Sequence, residues 1–167
     1  MVQQLMIAGE AVTIRPIRPD DVGMESEFIS RLSPQTRHFR FFGALRELPA
    51  AELVRLCSVD GRYSMAYVAT VRRLDRELEI GVSRYAANDQ SGVREIAVTV
   101  ADEWQRKGLG AALTRTLIEQ ARSIGVKRLY SIELADNVAM QRLAKDLGMS
   151  AARDPNDPQQ VVHSLAL

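Results

Sequence analysis

The sequence is poor in the residues that build metal centres and cross-links. It has one cysteine, Cys57, and two histidines, His38 and His163. A lone cysteine excludes an internal disulfide, and a reducing compartment, the cytoplasm, is expected. With no His/Cys cluster, no metal is expected. No apolar run approaches the roughly 18 residues that cross a bilayer, so no membrane partner is expected. The opening MVQQLMIAGEAV lacks the basic n-region and long apolar h-region of a secretory signal. Charge of one sign is also missing. Lys plus Arg is 22 and Asp plus Glu is 21, a net charge of +1, without the basic excess of a nucleic-acid binder. There is no linker, low-complexity stretch or repeat.

What is present is an ordinary globular composition, 46% hydrophobic and 26% charged in 167 residues. A chain of this size can bury roughly 70% of its unfolded surface without staples. One domain spanning residues 1–167 is expected. Thr13–Arg18 reads as a short strand, with Pro16 suited to an edge or an end. Pro19-Asp20-Asp21 caps a helix from about Val22 to Leu32, broken by Ser33-Pro34. The aromatic and basic segment Thr36–Gly43 is a short helix or a loop. Pro49 starts a further helix that ends near Asp60-Gly61.

Tyr63–Val71 and Glu77–Tyr85 form an antiparallel hairpin across a charged turn. Leu78, Ile80 and Val82 are expected on one face of the second strand. Asn88–Gly92 reads as another turn. In the strand that follows, Ile96, Val98 and Val100 point one way and Glu95, Ala97 and Thr99 the other. Leu113, Leu117, Ala121 and Ile124 recur at helical spacing up to a stop at Gly125. Leu129–Leu134 is a strand. Asp136-Asn137 caps a helix with a Met140, Leu143, Ala144, Leu147 stripe, ended by Gly148. Met149–Arg153 and Val161–Leu167 close the chain as strands. Antiparallel strands followed by two helical crossovers predict a mixed α/β (α+β) sheet, mostly antiparallel and flanked by helices.

The most informative stretch is Gln105-Arg106-Lys107-Gly108-Leu109-Gly110-Ala111, between a strand and a strongly periodic helix. Small residues let the backbone bend and a ligand approach. The first turn of a helix has free N–H groups and partial positive charge, and can hold a phosphate. Arg106 and Lys107 add charge there. Alternatively, Gly108 and Gly110 only shape a loop. The stretch is not a P-loop, because Gly-Lys-Ser/Thr is absent. It is not the dinucleotide fingerprint either, because Leu113 stands where a third glycine is needed and Ala101–Lys107 separate the turn from its strand.

The same stretch resembles the acyl-CoA signature of the GNAT N-acetyltransferase superfamily, Gln/Arg-x-x-Gly-x-Gly/Ala. Asp136-Asn137-Val138-Ala139-Met140 and Leu147-Gly148-Met149 resemble that family's Asn-bearing helix start and its closing Leu-Gly-Phe. Ile14–Asp21, Leu32–Arg37, Phe39–Gly43 and Glu95–Val98 resemble, more narrowly, the acetyltransferase domain of bacterial Pat-type protein lysine acetyltransferases. The large synthetase-like or cyclic-nucleotide-binding regions often fused to that domain are not in this sequence.

The resemblance implies a GNAT-like twisted sheet with a splayed central strand pair. It implies direct acetyl transfer from acetyl-CoA to a primary amine in a ternary complex. The acceptor would be a protein lysine, for example on an acyl-CoA synthetase; the enzyme would be a monomer or dimer. Gln105, Arg106, Lys107, Gly108, Leu109, Gly110 and Ala111 would hold the pyrophosphate. Ala97, Val98, Thr99 and Val100 would line the pantetheine arm, with Asn137 and Met140 also on it. An amide near Val98 would face the developing oxyanion. Glu95 occupies the position of the Pat-type catalytic glutamate and is the expected general base; the alternative is a carboxylate paired with an arginine. Glu133 is the reserve base.

A superfamily tyrosine that protonates the CoA thiolate is replaced by Ala144, as in Pat-type domains, and Tyr130 is a weak substitute. Asn137 also suits a helix cap. Trp104 reads as a packing anchor rather than an adenine platform, and Cys57 as a buried small hydrophobe. His38 and His163 are too isolated for a triad. The Arg37–Phe42 segment either touches a ligand or is core and rim. Two other functions stay open: acetylation of a small amine, and a non-catalytic acyl-CoA-binding module.

Overall fold

The computed structural model describes residues 2–43, 47–87 and 92–167. Thirteen elements run β1 (Gln3–Ile7), β2 (Glu10–Pro16), α1 (Val22–Arg31), α2 (Pro34–Phe41), α3 (Ala50–Cys57), β3 (Ser64–Arg73), β4 (Arg76–Ala86), β5 (Val93–Val100), α4 (Leu109–Ser123), β6 (Arg128–Leu134), α5 (Val138–Asp146), β7 (Ser150–Arg153) and β8 (Gln160–Ala166). The strands form one sheet in the order β1-β2-β3-β4-β5-β6-β8-β7. β1 to β5 are an antiparallel meander, and β6, β8 and β7 are antiparallel. β5 and β6 run parallel. That pair needs a crossover, which α4 supplies. The fold is the mixed, mostly antiparallel α/β sheet that the element order predicts. Among the described residues no helix is long and apolar enough to cross a membrane.

The central strands are buried on both faces. β3 is buried from Met65 to Val71 without alternation, the pattern of a strand covered on both sides. α4 lies on one face through Leu109, Leu113, Leu117 and Ala121, and α1 brings Phe28 and Ile29 to the core.

Several local expectations need correction. β1 goes unread in the sequence, because Gln3-Gln4-Leu5-Met6-Ile7 is weakly β-prone. It is fixed by a two-residue turn, Ala8 and Gly9 at φ 52° and 82°, whose two positive φ values suit a tight hairpin. β2 accordingly begins at Glu10. The α3 helix stops at Cys57, short of Asp60-Gly61. Asp60 instead accepts the N–H groups of Arg62, Tyr63 and Ser64 and turns the chain. The Thr36–Gly43 segment is helical as far as Phe41, because Ser33 both follows α1 and caps α2 by accepting from the Thr36 amide.

Leu78, Ile80 and Val82 do not share a face. The pairing with β3 jumps from Thr70–Glu79 to Ala69–Gly81, so Ile80 is the extra residue of a β-bulge and reverses the alternation. The bulge turns Glu79 into the α1 side and Gly81 toward α4. The expected turn at Asn88–Gly92 falls on Asn88–Ser91, outside the described residues.

Gly81 sets how closely α4 seats on the sheet. A Cβ there would lie 3.0 Å from Leu113 Cδ1 and 3.1 Å from the Thr99 carbonyl oxygen. The carbonyl belongs to a paired strand and cannot give way freely. Gly81→Ala is expected to destabilise the fold by about 1–3 kcal/mol, read as a lower midpoint in urea with unchanged slope; an unshifted midpoint contradicts this packing.

Candidate functional site

The site begins where two neighbouring strands part. β5 and β6 pair only through Val93–Arg128, Arg94–Leu129 and Glu95–Tyr130. Beyond that point β5 stays on β4 as far as Val100, and β6 stays on β8 as far as Leu134. Each strand is therefore held on its outer side while its inner edge faces a wedge. Alternate residues of Ile96–Val100 turn their N–H and C=O toward that gap. Ala97, Val98, Thr99 and Val100 all lie along it.

At the mouth of the wedge β5 ends in a fixed turn. The Gln105 side-chain amide donates to the Val100 carbonyl at 3.0 Å and to Thr36 Oγ1 at 3.2 Å. Asp102 accepts from the Ser33 amide and from the Ser33 and Thr36 hydroxyls, at 2.6–2.9 Å. Arg106 and Gly108 then take positive φ values of 59° and 88°. Gly108 is the N-cap of α4 and no side chain caps that end, so the first-turn amides stay free for an anion. Arg106, Lys107 and Gly108 are exposed, but Leu109 is 0% exposed. Leu109 can thus offer only its amide. Gly110 starts the helix beside the wedge; a Cβ there would sit 3.6 Å from Val100 and 3.5 Å from Leu143. Ala111 follows in the same turn. The Lys107 ammonium lies over the Trp104 ring, 5.6 Å from its centroid, and Trp104 is buried. Trp104 is a packing anchor.

On the other side of the wedge, α5 begins at Asn137, whose Oδ1 accepts from the Met140 amide at 3.2 Å. That cap leaves its amide nitrogen directed at Glu133 Oε2, 3.4 Å away.

Two carboxylates border the gap on opposite faces of the sheet. Glu95 shares a face with Ala97, Thr99 and its register partner Tyr130, on the side of α2. Its Oε2 accepts from the Tyr130 hydroxyl at 3.3 Å, and among the described residues it makes no ion pair. Glu133 shares the opposite face with Leu129 and Ser131, on the side of α4 and α5. It is 8% exposed, and burial pushes its carboxyl up to about 7. Arg40 and the Asn137 hydrogen bond pull the other way, and Glu95 adds to the rise. Arg40, from the segment whose role the sequence left open, feels all of this. Burial and Arg84 lower its guanidinium to about 10, against the attraction of Glu25, Glu133 and Glu95. It remains a cation at neutral pH.

The sequence reading passed over the charge cluster behind Arg40. Glu25 Oε1 meets Arg84 at 2.7 Å in a buried pair, and Arg84 also donates to the Leu56 carbonyl. Glu79 lies beside Glu25 with neither carboxylate oxygen hydrogen-bonded among the described residues; burial, then Glu25, hold it well above the usual carboxylate range. The available signal was Glu25, a carboxylate on the apolar stripe of α1.

Cys57 is buried and its thiol is pushed up to about 11 by burial, so it is inert. His163 is 2% exposed on β8 opposite Ser131, whereas His38 is on α2. Among the described residues there is no His/Cys/Asp/Glu group with the geometry of a metal site. An open cleft of about 630 Å³ lies between α5 and β7–β8, beside Val138, Arg142, Lys145 and Arg153, and none of its lining residues is on β5 or at the start of α4.

Glu133 gives a pH test of this geometry. Its folded value lies above the unfolded one of 4.5, so the folded state binds the proton more tightly. Its contribution is fully present below about pH 4.5 and is lost as pH rises through about 7. Relative to the wild type, Glu133→Gln is expected to gain on the order of 3 kcal/mol at pH 8 and nothing at pH 4. Urea unfolding at the two pH values checks this; equal differences at both contradict it.

The comparisons with known proteins agree with this geometry. Residues 11–150 match the family model described as an acetyltransferase (GNAT) domain. The chain is 48% identical over 159 residues to Acetyltransferase PA5475 of Pseudomonas aeruginosa, covering 95% of this chain and 86% of that protein. It is 31% identical over 147 residues to Acetyltransferase Pat of Mycolicibacterium smegmatis, covering 87% of this chain but only 43% of Pat. The GNAT domain of S. lividans PAT superposes with a TM-score of 0.90 at 23% identity, over 99% of this chain and 97% of that domain. The family match spans most of the sequence, and the parted strands with the uncapped helix start sit inside it: the chain belongs to the GNAT acetyltransferase family.

Proposed function

We propose that this protein transfers the acetyl group of acetyl-CoA directly to a primary amine, a lysine on a protein surface, with Glu95 as general base. The observation that carries this is the wedge with an uncapped helix N-terminus at its mouth. The amides of Leu109, Gly110 and Ala111, with Arg106 and Lys107, offer the charge and donors that a diphosphate needs. Gln105 fixes the turn rather than reaching outward. The inner edge of β5, from Ala97 to Val100, offers strand-like pairing to the amides of the pantetheine arm. Asn137 and Met140 border the same channel from α5. The Val98 amide is placed for the oxyanion that develops on the thioester carbonyl.

The amine enters from the opposite face, where Glu95 and Arg40 lie. A free lysine has a pKa of about 10.4, so presenting it neutral at pH 7 costs roughly 4–5 kcal/mol. Glu95 lies three residues before Val98, about 10 Å at the rise of a strand. It therefore accepts the proton through a water. Tyr130, hydrogen-bonded to Glu95, orients that carboxylate. The choice of a protein lysine rests on the Pat-type motifs and on the likeness to Pat; the catalytic unit is residues 1–167, acting in the cytoplasm.

Two variants test this reading. Glu95→Gln is expected to lower kcat by about 10²–10⁴-fold with acetyl-CoA affinity retained, measured with acetyl-CoA against a panel of protein and small amines. Unchanged turnover across pH removes Glu95 from the mechanism. Gly110→Glu puts a carboxylate among the helix-start amides and is expected to weaken acetyl-CoA binding at least about a hundredfold, roughly 2.7 kcal/mol. Gly110→Ala, for which there is room, is expected to bind normally. Calorimetry separates the two, and tight binding by Gly110→Glu puts the diphosphate elsewhere.

A further inference from the structure

We infer that Glu133 is the general acid of the reaction, donating its carboxyl proton to the sulfur of the departing CoA. The inference rests on the donor placement proposed above. Counting on from the last strand pair, Glu95 opposite Tyr130, puts Glu133 level with Val98 across the wedge. Both side chains turn to the face of α4 and α5, from which the pantetheine arm enters. The acetyl carbonyl at the Val98 amide thus has Glu133 on its donor side and Glu95 on its acceptor side.

The residue is built for that position. It is buried, and Asn137 Nδ2 donates to its Oε2. The same Asn137 is locked by its cap on the Met140 amide, so among the described residues Glu133 is held by one oxygen only, and the other is the one to present a proton. Among the described residues the charged groups acting on it are Arg40 from α2 and Glu95 from β5. His163, on β8 one residue pair along the same face, is held neutral at pH 7 by burial, which lowers its imidazole. In this setting the carboxyl keeps its proton to about 7, near the optimum for an acid at neutral pH. Of the alternative proton sources, the helix position where the superfamily resemblance would put a tyrosine is Ala144, buried in the core, and Tyr130 lies on the other face, hydrogen-bonded to Glu95.

The step balances. The amine nitrogen bonds to the acetyl carbon and the carbon–sulfur bond breaks. One nitrogen proton leaves through water to Glu95, and the Glu133 proton goes to sulfur. Products are the amide and CoA thiol, with Glu95 left protonated and Glu133 left as a carboxylate; Glu95 gives its proton to solvent and solvent reprotonates Glu133.

The test has a readout that needs no amine acceptor. The thiolate absorbance of CoA bound to the full chain is titrated with base, in the wild type and in Glu133→Gln. A carboxylate beside the sulfur opposes thiolate formation. The bound thiol is expected to titrate about one unit or more lower in Glu133→Gln than in the wild type. Coincident titrations overturn the inference while leaving the donor site standing. A wild type that does not bind CoA overturns the site reading and this inference with it.

Turnover supplies the second arm. Glu133→Gln is expected to lose about 10–100-fold in kcat with the acetyl-CoA KM unchanged, and to lack the fall in kcat above about pH 7 that is expected of the wild type. A merely structural Glu133 leaves that limb in place, and a retained limb with retained kcat overturns the assignment. The urea midpoint of Glu133→Gln at pH 8, expected at or above that of the wild type, separates a loss of chemistry from misfolding.

Discussion

Everything in the site depends on β5 and β6 letting go of each other after Glu95–Tyr130. Leaving strand edges unpaired costs hydrogen bonds, since backbone N–H and C=O groups away from water need partners. The fold bears that cost because each strand keeps its outer partner, β4 for β5 and β8 for β6. The opening is a local parting inside an intact sheet. Its inner edges are chemically those of an incomplete sheet, suited to a chain-like ligand with amides of its own. The uncapped start of α4 is incomplete in the same sense, with donors that the protein leaves unfilled.

The surrounding charges explain how two carboxylates on one gap behave differently. Glu133 is on the side packed by helices, buried and bonded to a neutral amide, so desolvation governs it. Glu95 is half-exposed on the other side and hydrogen-bonded to Tyr130. Arg40 stands in the field of both and of Glu25, while Arg84 repels it. Arg84 is itself fixed by Glu25 and the Leu56 carbonyl, and in register it faces Ala97 on β5. The buried pair in α1 and β4 therefore reaches the wedge through Arg40. Breaking Glu25 from Arg84 alters the field at the site as well as the core.

Much of this was legible in the sequence because it is local. Periodicity gave α4 and α5, glycine marked the start of α4, and alternation put Glu95 and Val98 on opposite faces of one strand. What escaped is what depends on long-range pairing. The bulge at Ile80 is a register shift between two strands, and an apparent Leu78-Ile80-Val82 stripe hides it. β1 exists because β2 and an Ala-Gly turn recruit it, not because its own residues prefer a strand. The parting of β5 and β6 came through family resemblance alone, since no residue in either strand announces it. The high proton affinity of Glu133 depends on three other segments packing around it, and no motif encodes that.

The packing of α5 also bears on the tyrosine that the superfamily resemblance would place at Ala144. Ala144 lies on the α5 stripe, and its carbonyl accepts from the Met149 amide where the chain leaves the helix. Its side chain is in the core, where a phenol would have to displace packed residues to reach the sulfur. A proton source from α5 is closed off by packing. The neighbouring strand has no such obstacle, because β6 turns every second side chain toward the donor face, and Glu133 falls level with Val98 by register. A CoA thiol has a pKa near that of a free cysteine, about 8.5, so even a modest acid lowers the barrier to its departure. With the proposed base Glu95 and the proposed acid Glu133 on opposite faces, each proton would be handled on the side where it arises, and neither carboxylate would have to cross the gap.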